Sequence, residues 1–215
     1  MSNDVDAVEL FLEVCQFQKW KACKIPELNK RTPDYFVRNL SGHFFAEIKQ
    51  LNVVGYKIDQ VYGFKPGDKV RKSIGEAKGQ LQGYNAPTML IMCDVHRVGF
   101  TRFESMVAGM YGDKTILIDK KTGHTGDMFY GRNSKMREKQ NTSISAIADI
   151  CYDCKDRASL KPYINIYHNM YAKNPFKRDF FIDGDGVSQY WFKAEEVPAS
   201  SCLRNKKEME RMTVK

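Results

Sequence analysis

Between His43 and Leu51 side chains alternate across an extended chain: Phe45, Glu47 and Lys49 fall on one face, Phe44, Ala46, Ile48 and Gln50 on the other. This predicts a strand. Tyr35–Arg38, aromatic and branched, predicts another, and Asn39-Leu40-Ser41-Gly42 supplies the turn between them. Ahead of this hairpin, Asp4–Cys23 reads as a helix capped by Asn3 or Asp4. Val8, Leu12 and Cys15 recur at helical spacing, joined by Val5 and Phe11, and Pro26 closes the region. Glu9, Glu13, Gln16 and Trp20 form the adjacent stripe. Residues 53–66 are irregular and aromatic, a loop over the hairpin or a short extra strand. From Asp68 to about Gln82 a second helix is predicted, with Val70, Ile74, Ala77 and Leu81 on its apolar face and Lys69, Arg71, Lys72 and Lys78 making it basic. Thr88–Val95 is a continuous apolar run between Pro87 and His96, the mark of a buried central strand.

Further on, Phe100–Gly112 reads as a helix and Lys114–Asp119 as a strand. Lys120–Gln140 is polar and basic, either a contact loop or plain surface. Asn141–Tyr152 reads as a short helix with Ile147 and Ile150 inward, and Tyr163–His168 as a strand. Asp179–Asp183 and Ser188–Phe192 flank Gly184-Asp185-Gly186, which reads as a hairpin turn. No repeat or low-complexity linker interrupts the chain. The expected organisation is a single domain over 1–215, with a core at 4–119 and a C-terminal elaboration at 120–215.

Composition narrows the class. The 215 residues are enough for one domain with a full core, and 42% hydrophobic with 28% charged residues is ordinary for a globular protein. No apolar run reaches membrane-spanning length, and the acidic N-terminus lacks the layout of a signal peptide, so a cytoplasmic protein without a membrane partner is expected. The net charge of +8, from 34 basic and 26 acidic residues, favours an anionic partner, nucleic acid above all. The six cysteines show no disulfide framework; Cys15 and Cys93 fall on apolar faces and read as core.

The chemistry gathers on the first hairpin. Glu47 and Lys49 point the same way, and Asp34 sits beside them if the two strands pair. Two carboxylates and a lysine are what metal-assisted phosphodiester cleavage requires: hard oxygen ligands for Mg²⁺, and an ammonium group near the attacking water. Pro33-Asp34 followed by Glu47-Ile48-Lys49 resembles the PD-(D/E)xK nuclease superfamily. Gln80-Leu-Gln-Gly-Tyr84 resembles the Gln-x-x-x-Tyr element of its RecB-type and lambda-exonuclease-like members, carried on the helix after the Glu-x-Lys strand with Gln80 and Tyr84 on one face; the alternative is a helix C-terminus stopped by Gly83 in a left-handed conformation, before Tyr84. The order helix, strand, strand, helix, strand over residues 4–95 is similar to the core of that superfamily.

The resemblance implies an α/β protein with a restriction-endonuclease-like core, a mixed central sheet flanked by helices and C-terminal α+β elaborations. It implies Mg²⁺, with Mn²⁺ as a substitute, ligated by Asp34, Glu47 and the carbonyl of Ile48. Lys49 would position or activate water. Glu9, eleven residues before Trp20, would touch the metal or its waters, with Glu13 as the alternative; Lys19 stands where such helices carry a glycine. Gln80 and Tyr84 would hold substrate, helped by Lys72 and Lys78. DNA is the expected substrate, ahead of RNA, with specificity supplied by a homo-oligomer or a partner protein. The alternative is a non-catalytic nucleic-acid-binding or assembly module on the same fold. Other signatures fall short. Cys151-Tyr-Asp-Cys154 lacks a second ligand pair for zinc, and Asp183-Gly-Asp185-Gly lacks the glutamate of an EF-hand, whose place is Ala194.

Overall fold

The structure, a computed structural model, describes residues 6–27, 31–52, 57, 63, 65–153 and 161–191. Helix α1 (Ala7–Phe17) begins at Asp6, whose carboxylate accepts from the amides of Val8 (2.7 Å) and Glu9 (3.2 Å). That satisfies two first-turn donors that the helix itself leaves open. The expected caps, Asn3 and Asp4, lie outside the described residues. The buried stripe is Ala7, Leu10, Phe11, Val14 and Cys15, while Val8 and Leu12 are exposed. The stripe expected through Val8 and Leu12 is thus rotated by one position: 8, 11, 12 and 15 offer an apolar i, i+3, i+4, i+7 face too, and the structure buries the adjacent one through 7, 10, 11, 14 and 15.

The helix also stops earlier than the expected Cys23. Lys19 takes φ 57°, its amide donates to Gln16 O (3.1 Å), and the amide of Trp20 donates to Cys15 O (2.8 Å). These are the two bonds of a left-handed helix stop, a place usually given to glycine. Lys19 does the glycine's job. The reversal frees Lys21–Lys24 to form strand β1.

β1 pairs antiparallel with β2 (Tyr35–Asn39), and β2 with β3 (Gly42–Leu51), in a register from Asn39 opposite Gly42 to Tyr35 opposite Ala46. Helix α2 (Asp68–Ala77) then leads to β4 (Thr88–Asp94), parallel to β3. After β4 come α3 (Phe103–Tyr111) and a separate ribbon, β5 (Asp113–Ile118) with β6 (Thr125–Arg132). The chain returns as β7 (Ala146–Asp153), parallel to β4, then β8 (Lys161–His168), antiparallel, and β9 (Val187–Tyr190), parallel to β8. Among the described residues the main sheet has seven strands in the order β1-β2-β3-β4-β7-β8-β9. The fold is α/β with a mixed sheet and few helices.

Three expectations change. Residues 146–153 are a strand, not a helix. Ile144, Ile147 and Ile150 mimic helical spacing, but β7 is buried on both faces, so it carries no polar alternation to mark it. The segment 120–215, expected as an elaboration, supplies β7, β8 and β9 of the main sheet. Asp179–Asp183 is not a strand; Gly184 and Val187 form an isolated bridge that leads into β9.

The sheet separates two cores. On one face α1 packs over Phe44, Ala46, Ile48, Ile91, Ala148 and Ile166, with Phe176, Phe180 and Phe181 closing the far end. On the other, α2 and α3 cover Leu51, Leu90, Met92 and Ile147. Burying each large apolar side chain contributes about 1.5–3 kcal/mol. Helices α2 and α3 touch through Gly109, where an added Cβ would lie 2.3 Å from Val70 Cγ1. Buried Arg71 ties the pair together: it donates to Ala108 O (2.9 Å) and meets Asp68 (2.5 Å) and Asp113 (2.9 Å). This contact fixes the path of α2 and so the position of Gln80. Among the described residues no helix is long and apolar enough to cross a membrane.

Candidate active site

Glu47 and Lys49 stand on the α2–α3 face of β3, two residues apart, as the alternation requires. Glu47 is only 1% exposed. Its Oε1 accepts from Lys49 Nζ (2.7 Å) and from Gln80 Nε2 (2.5 Å), while Oε2 is buried and, among the described residues, has no partner. Lys49 keeps 26% of its side chain in contact with solvent and marks the open side of the site.

Asp34 lies one step past the last β2–β3 pair, Tyr35 with Ala46, which sets it opposite Glu47. Its Oδ2 accepts from the backbone amide of Ile48 (2.7 Å). The amide and carbonyl of one strand residue face the same edge, so the Ile48 carbonyl is directed to the Asp34 side as well. Burial pushes the Glu47 carboxyl above its ordinary range. The hydrogen bond from Lys49 pulls it back, the charge of Asp34 raises it again, and the charge of Lys49 and the Gln80 amide lower it.

The Gln80–Tyr84 element takes a different shape from the expected helix. α2 ends at Ala77, and the amides of Gln80 and Leu81 both turn back to Ala77 O (3.0 Å each). Gly83, at φ 92°, ends the turn; glycine is the residue that reaches this conformation without strain. Gln80 reaches Glu47 from that turn. Tyr84 does not share a helical face with it, and instead lays its ring on Phe45, centroids 4.1 Å apart. Its carbonyl accepts from Asn174 Nδ2 (2.8 Å).

Asp34, Glu47, Lys49, Ile48 and Gln80 therefore come together. Glu9 does not join them: it is exposed on α1, the helix that covers the other face, and no three His, Cys, Asp or Glu side chains gather among the described residues. Glu13, the alternative, accepts from Tyr152 Oη (2.9 Å). Lys72 is exposed and faces Glu76 (3.8 Å), while Lys78 lines a cavity beside Tyr84. Cys15 and Cys93 are core, as expected. Cys154, Cys202, the basic stretch 204–215 and most of 53–66 lie outside the described residues.

Sequence reading passed over a second buried carboxylate. Asp149 of β7 is 5% exposed and accepts from Asn165 Nδ2 (3.1 Å); its Oδ1 is buried without a partner among the described residues. Burial pushes it up to about 7, against hydrogen bonds from Asn165 and Tyr167 that pull it down. The signal that would have found it is an acid in a run otherwise free of charge, residues 141–150.

A divalent cation can be tested against what the side chains leave unmet. Glu47 Oε2 is a buried carboxyl oxygen without a donor among the described residues, with the Asp34 carboxylate and the Ile48 carbonyl at its side. Hard oxygens of this kind fit Mg²⁺, which binds through one or two carboxylates and keeps several waters. Comparison with family models, with curated proteins and with solved structures yields no match, so the chemistry of these side chains is what bears on function.

Proposed function

We propose that this protein is a metal-dependent nuclease that hydrolyses phosphodiester bonds of DNA, on a restriction-endonuclease-like core. The observation that carries the reading is the Oε2 of Glu47, without a partner among the described residues, with Asp34 beside it and Lys49 on the open side. The order α1, β1, β2, β3, α2, β4, which adds the edge strand β1 to the expected order, with β3 and β4 parallel, supports the fold assignment.

Asp34, Glu47 and the Ile48 carbonyl would hold Mg²⁺ or Mn²⁺. Such an ion, when bound, offsets charge on a phosphate oxygen and acidifies a water. The chain's own groups do the rest. Lys49 favours the ionised form of Glu47 against its burial and presents an ammonium group to solvent, where it orients the attacking water and offsets negative charge as it develops. Gln80 holds Oε1 so that Oε2 faces the open position. Asp34 is held by the Ile48 amide, so both carboxylates are fixed before substrate arrives.

The test is to incubate wild type and Lys49→Ala with linear and circular, single- and double-stranded DNA, and with RNA, in Mg²⁺ or Mn²⁺. Wild type is expected to cut DNA, and Lys49→Ala to lose on the order of a hundredfold in rate while still binding, because the lysine acts on charge present only in the transition state. Asp34→Ala should lose cleavage through loss of the ion. DNA bound but never cut by wild type in either metal would replace this reading with a non-catalytic nucleic-acid-binding module.

A further inference from the structure

Beside the Glu47 centre, on the far side of Tyr84, lies a cavity of about 320 Å³. Three segments wall it: the turn after α2, residues 139–143 leading into β7, and residues 173–174 after β8. Lys78, Lys139 and Lys173 line it, one from each segment, with no carboxylate among the described lining residues. Among the described residues none of the three is in an ion pair.

The walls are pinned by backbone and amide bonds. Lys173 N donates to Thr142 O (2.7 Å), Asn174 Nδ2 to Tyr84 O (2.8 Å) and Ser145 Oγ to Asn174 O (2.6 Å). Asn141 holds the β7 approach at φ 54° and donates to Lys135 O (2.6 Å). The cavity is thus a built feature and not a gap between loose loops.

Three exposed lysines border one small volume, and like charges gathered at one place favour an anion between them. Phosphate is the anion that lysine meets as a point charge, and the hydroxyls of Thr142 and Ser143 add donors in the same wall. The volume is about that of ten liquid waters. Tyr84 joins this cavity to the catalytic face: it lines the cavity and stacks on Phe45, which stands two residues, about 7 Å, from Glu47 on the same face of β3.

We propose that Lys78, Lys139 and Lys173 form a phosphate site that holds the backbone of the nucleic-acid strand whose neighbouring phosphate enters the Glu47 centre. The site rests on the reading of that centre as a phosphodiester site. It adds Lys139 and Lys173, from the second half of the chain, to the surface that grips substrate. Every phosphate held by a lysine releases condensed counterions, so each contact steepens the salt dependence of binding.

The experiment is a titration of labelled single-stranded and duplex oligonucleotides in EDTA, across about 50 to 200 mM salt. Wild type is compared with Lys139→Ala/Lys173→Ala and with Lys139→Arg/Lys173→Arg. The alanine pair should bind tenfold or more weakly at the low-salt end, with a log–log salt slope shallower by about 1 to 2. The arginine pair should bind like wild type. Inorganic phosphate should compete with the oligonucleotide for wild type.

An alanine pair with wild-type affinity and slope overturns the site. So does a wild type that binds no oligonucleotide. If inorganic phosphate shifts or broadens its ³¹P signal with wild type while the alanine pair still binds oligonucleotide normally, the cavity takes a free anion and not a strand. Because EDTA removes cleavage from the readout, the two readings fail separately. Loss of binding in the alanine pair alongside a wild type that never cuts keeps the phosphate site and ends the nuclease reading. The reverse pattern does the opposite.

Discussion

Glu47 and Asp149 are buried carboxylates on the same face of the same sheet. The register runs from Lys49 to Met92 to Asp149, so Met92 alone separates the two settings in that row. Each carboxylate receives one side-chain amide, Gln80 for Glu47 and Asn165 for Asp149, and each keeps one oxygen without a partner among the described residues. The difference is the cation. Lys49 lies 2.7 Å from Glu47, whereas Asp149 is surrounded by Asn165, Tyr167 and Tyr190, and burial moves it up to about 7. A buried charge without an opposite charge gives up its ionisation. Lys49 works against burial to favour the ionised form of Glu47; Asp149 has no such cation and holds a proton over most of the acid range.

The largest expected effect follows from Asp149. Between its ordinary value of 3.8 and about 7, the folded protein holds a proton that the unfolded chain has lost. Stability therefore falls as pH rises through that window, by on the order of 4 kcal/mol in total. His168 works the other way. It is buried against Trp191 and Phe176, and burial brings it down from 6.5 to about 3. Over that span the unfolded chain binds a proton that the folded one refuses, so stability rises with pH. The two slopes offset between about pH 4 and 6.5. Urea denaturation of wild type and Asp149→Asn from pH 4 to 8 separates them. The variant should gain on wild type steadily as pH rises. A difference independent of pH would mean that Asp149 is ionised in the folded state and that the contrast with Glu47 is false.

The next experiment turns Glu47 into a second Asp149. Lys49→Met removes the cation and keeps most of the apolar stem. Glu47, already raised by burial, should rise further. The folded protein then keeps a proton that the unfolded chain releases above the ordinary carboxylate range, so stability should fall as pH rises through that wider window. The loss at pH 8 relative to pH 5 is expected on the order of 2 kcal/mol, since Lys49 is partly solvated and its pairing is screened. Glu47→Gln in the same background should remove the added pH dependence and leave that of Asp149 and His168. If Lys49→Met tracks wild type at both pH values, Lys49 does not govern the ionisation of Glu47.

The two settings also differ in how far the chain betrays them. Glu47 and Lys49 were legible because β3 alternates: a polar pair with period two, across from Phe44, Ala46 and Ile48, leaves one register. Asp34 followed from the turn at Asn39–Gly42, which fixes the pairing. Asp149 was hidden because β7 is covered on both faces, and Ile147 and Ile150, with Ile144 just before the strand, give the helical period. α1 was found, but its end was misjudged, since nothing local announces that Lys19 will take a left-handed conformation. Gln80 was identified, yet its route to Glu47 through a turn closed by Gly83, and not along a helix face, depends on α2 being held by Arg71 and Gly109 against α3. The cavity beside Tyr84 was out of reach, because its lysines come from segments 34 or more residues apart, at positions 78, 139 and 173. Local patterns carry what one or two elements decide; contacts between distant segments leave no periodic trace.

The smallest expected effect concerns the feature the two carboxylates share. Gln80 and Asn165 each give one amide hydrogen bond to a buried anion or its acid. Where a cation is already present, the amide should matter less. Gln80→Ala leaves Lys49 on the same Oε1, still favouring the ionised form of Glu47, and the loss should be about 1 kcal/mol, roughly fivefold in the rate of the proposed cleavage. Its pH signature distinguishes it from a folding defect. The Gln80 bond lowers Glu47, so removing it moves the acid limb of the cleavage profile to higher pH, with the alkaline side unchanged. In Asn165→Ala no cation compensates. Asp149 should move further up, and the window in which stability falls with pH should extend above 7, with no change in cleavage at a pH where the protein remains folded. Paired pH profiles of cleavage and of urea stability on both variants check this. A shift of the cleavage limb in Asn165→Ala, or its absence in Gln80→Ala, would mean that the two carboxylates are one coupled system across Met92 and not two separate settings.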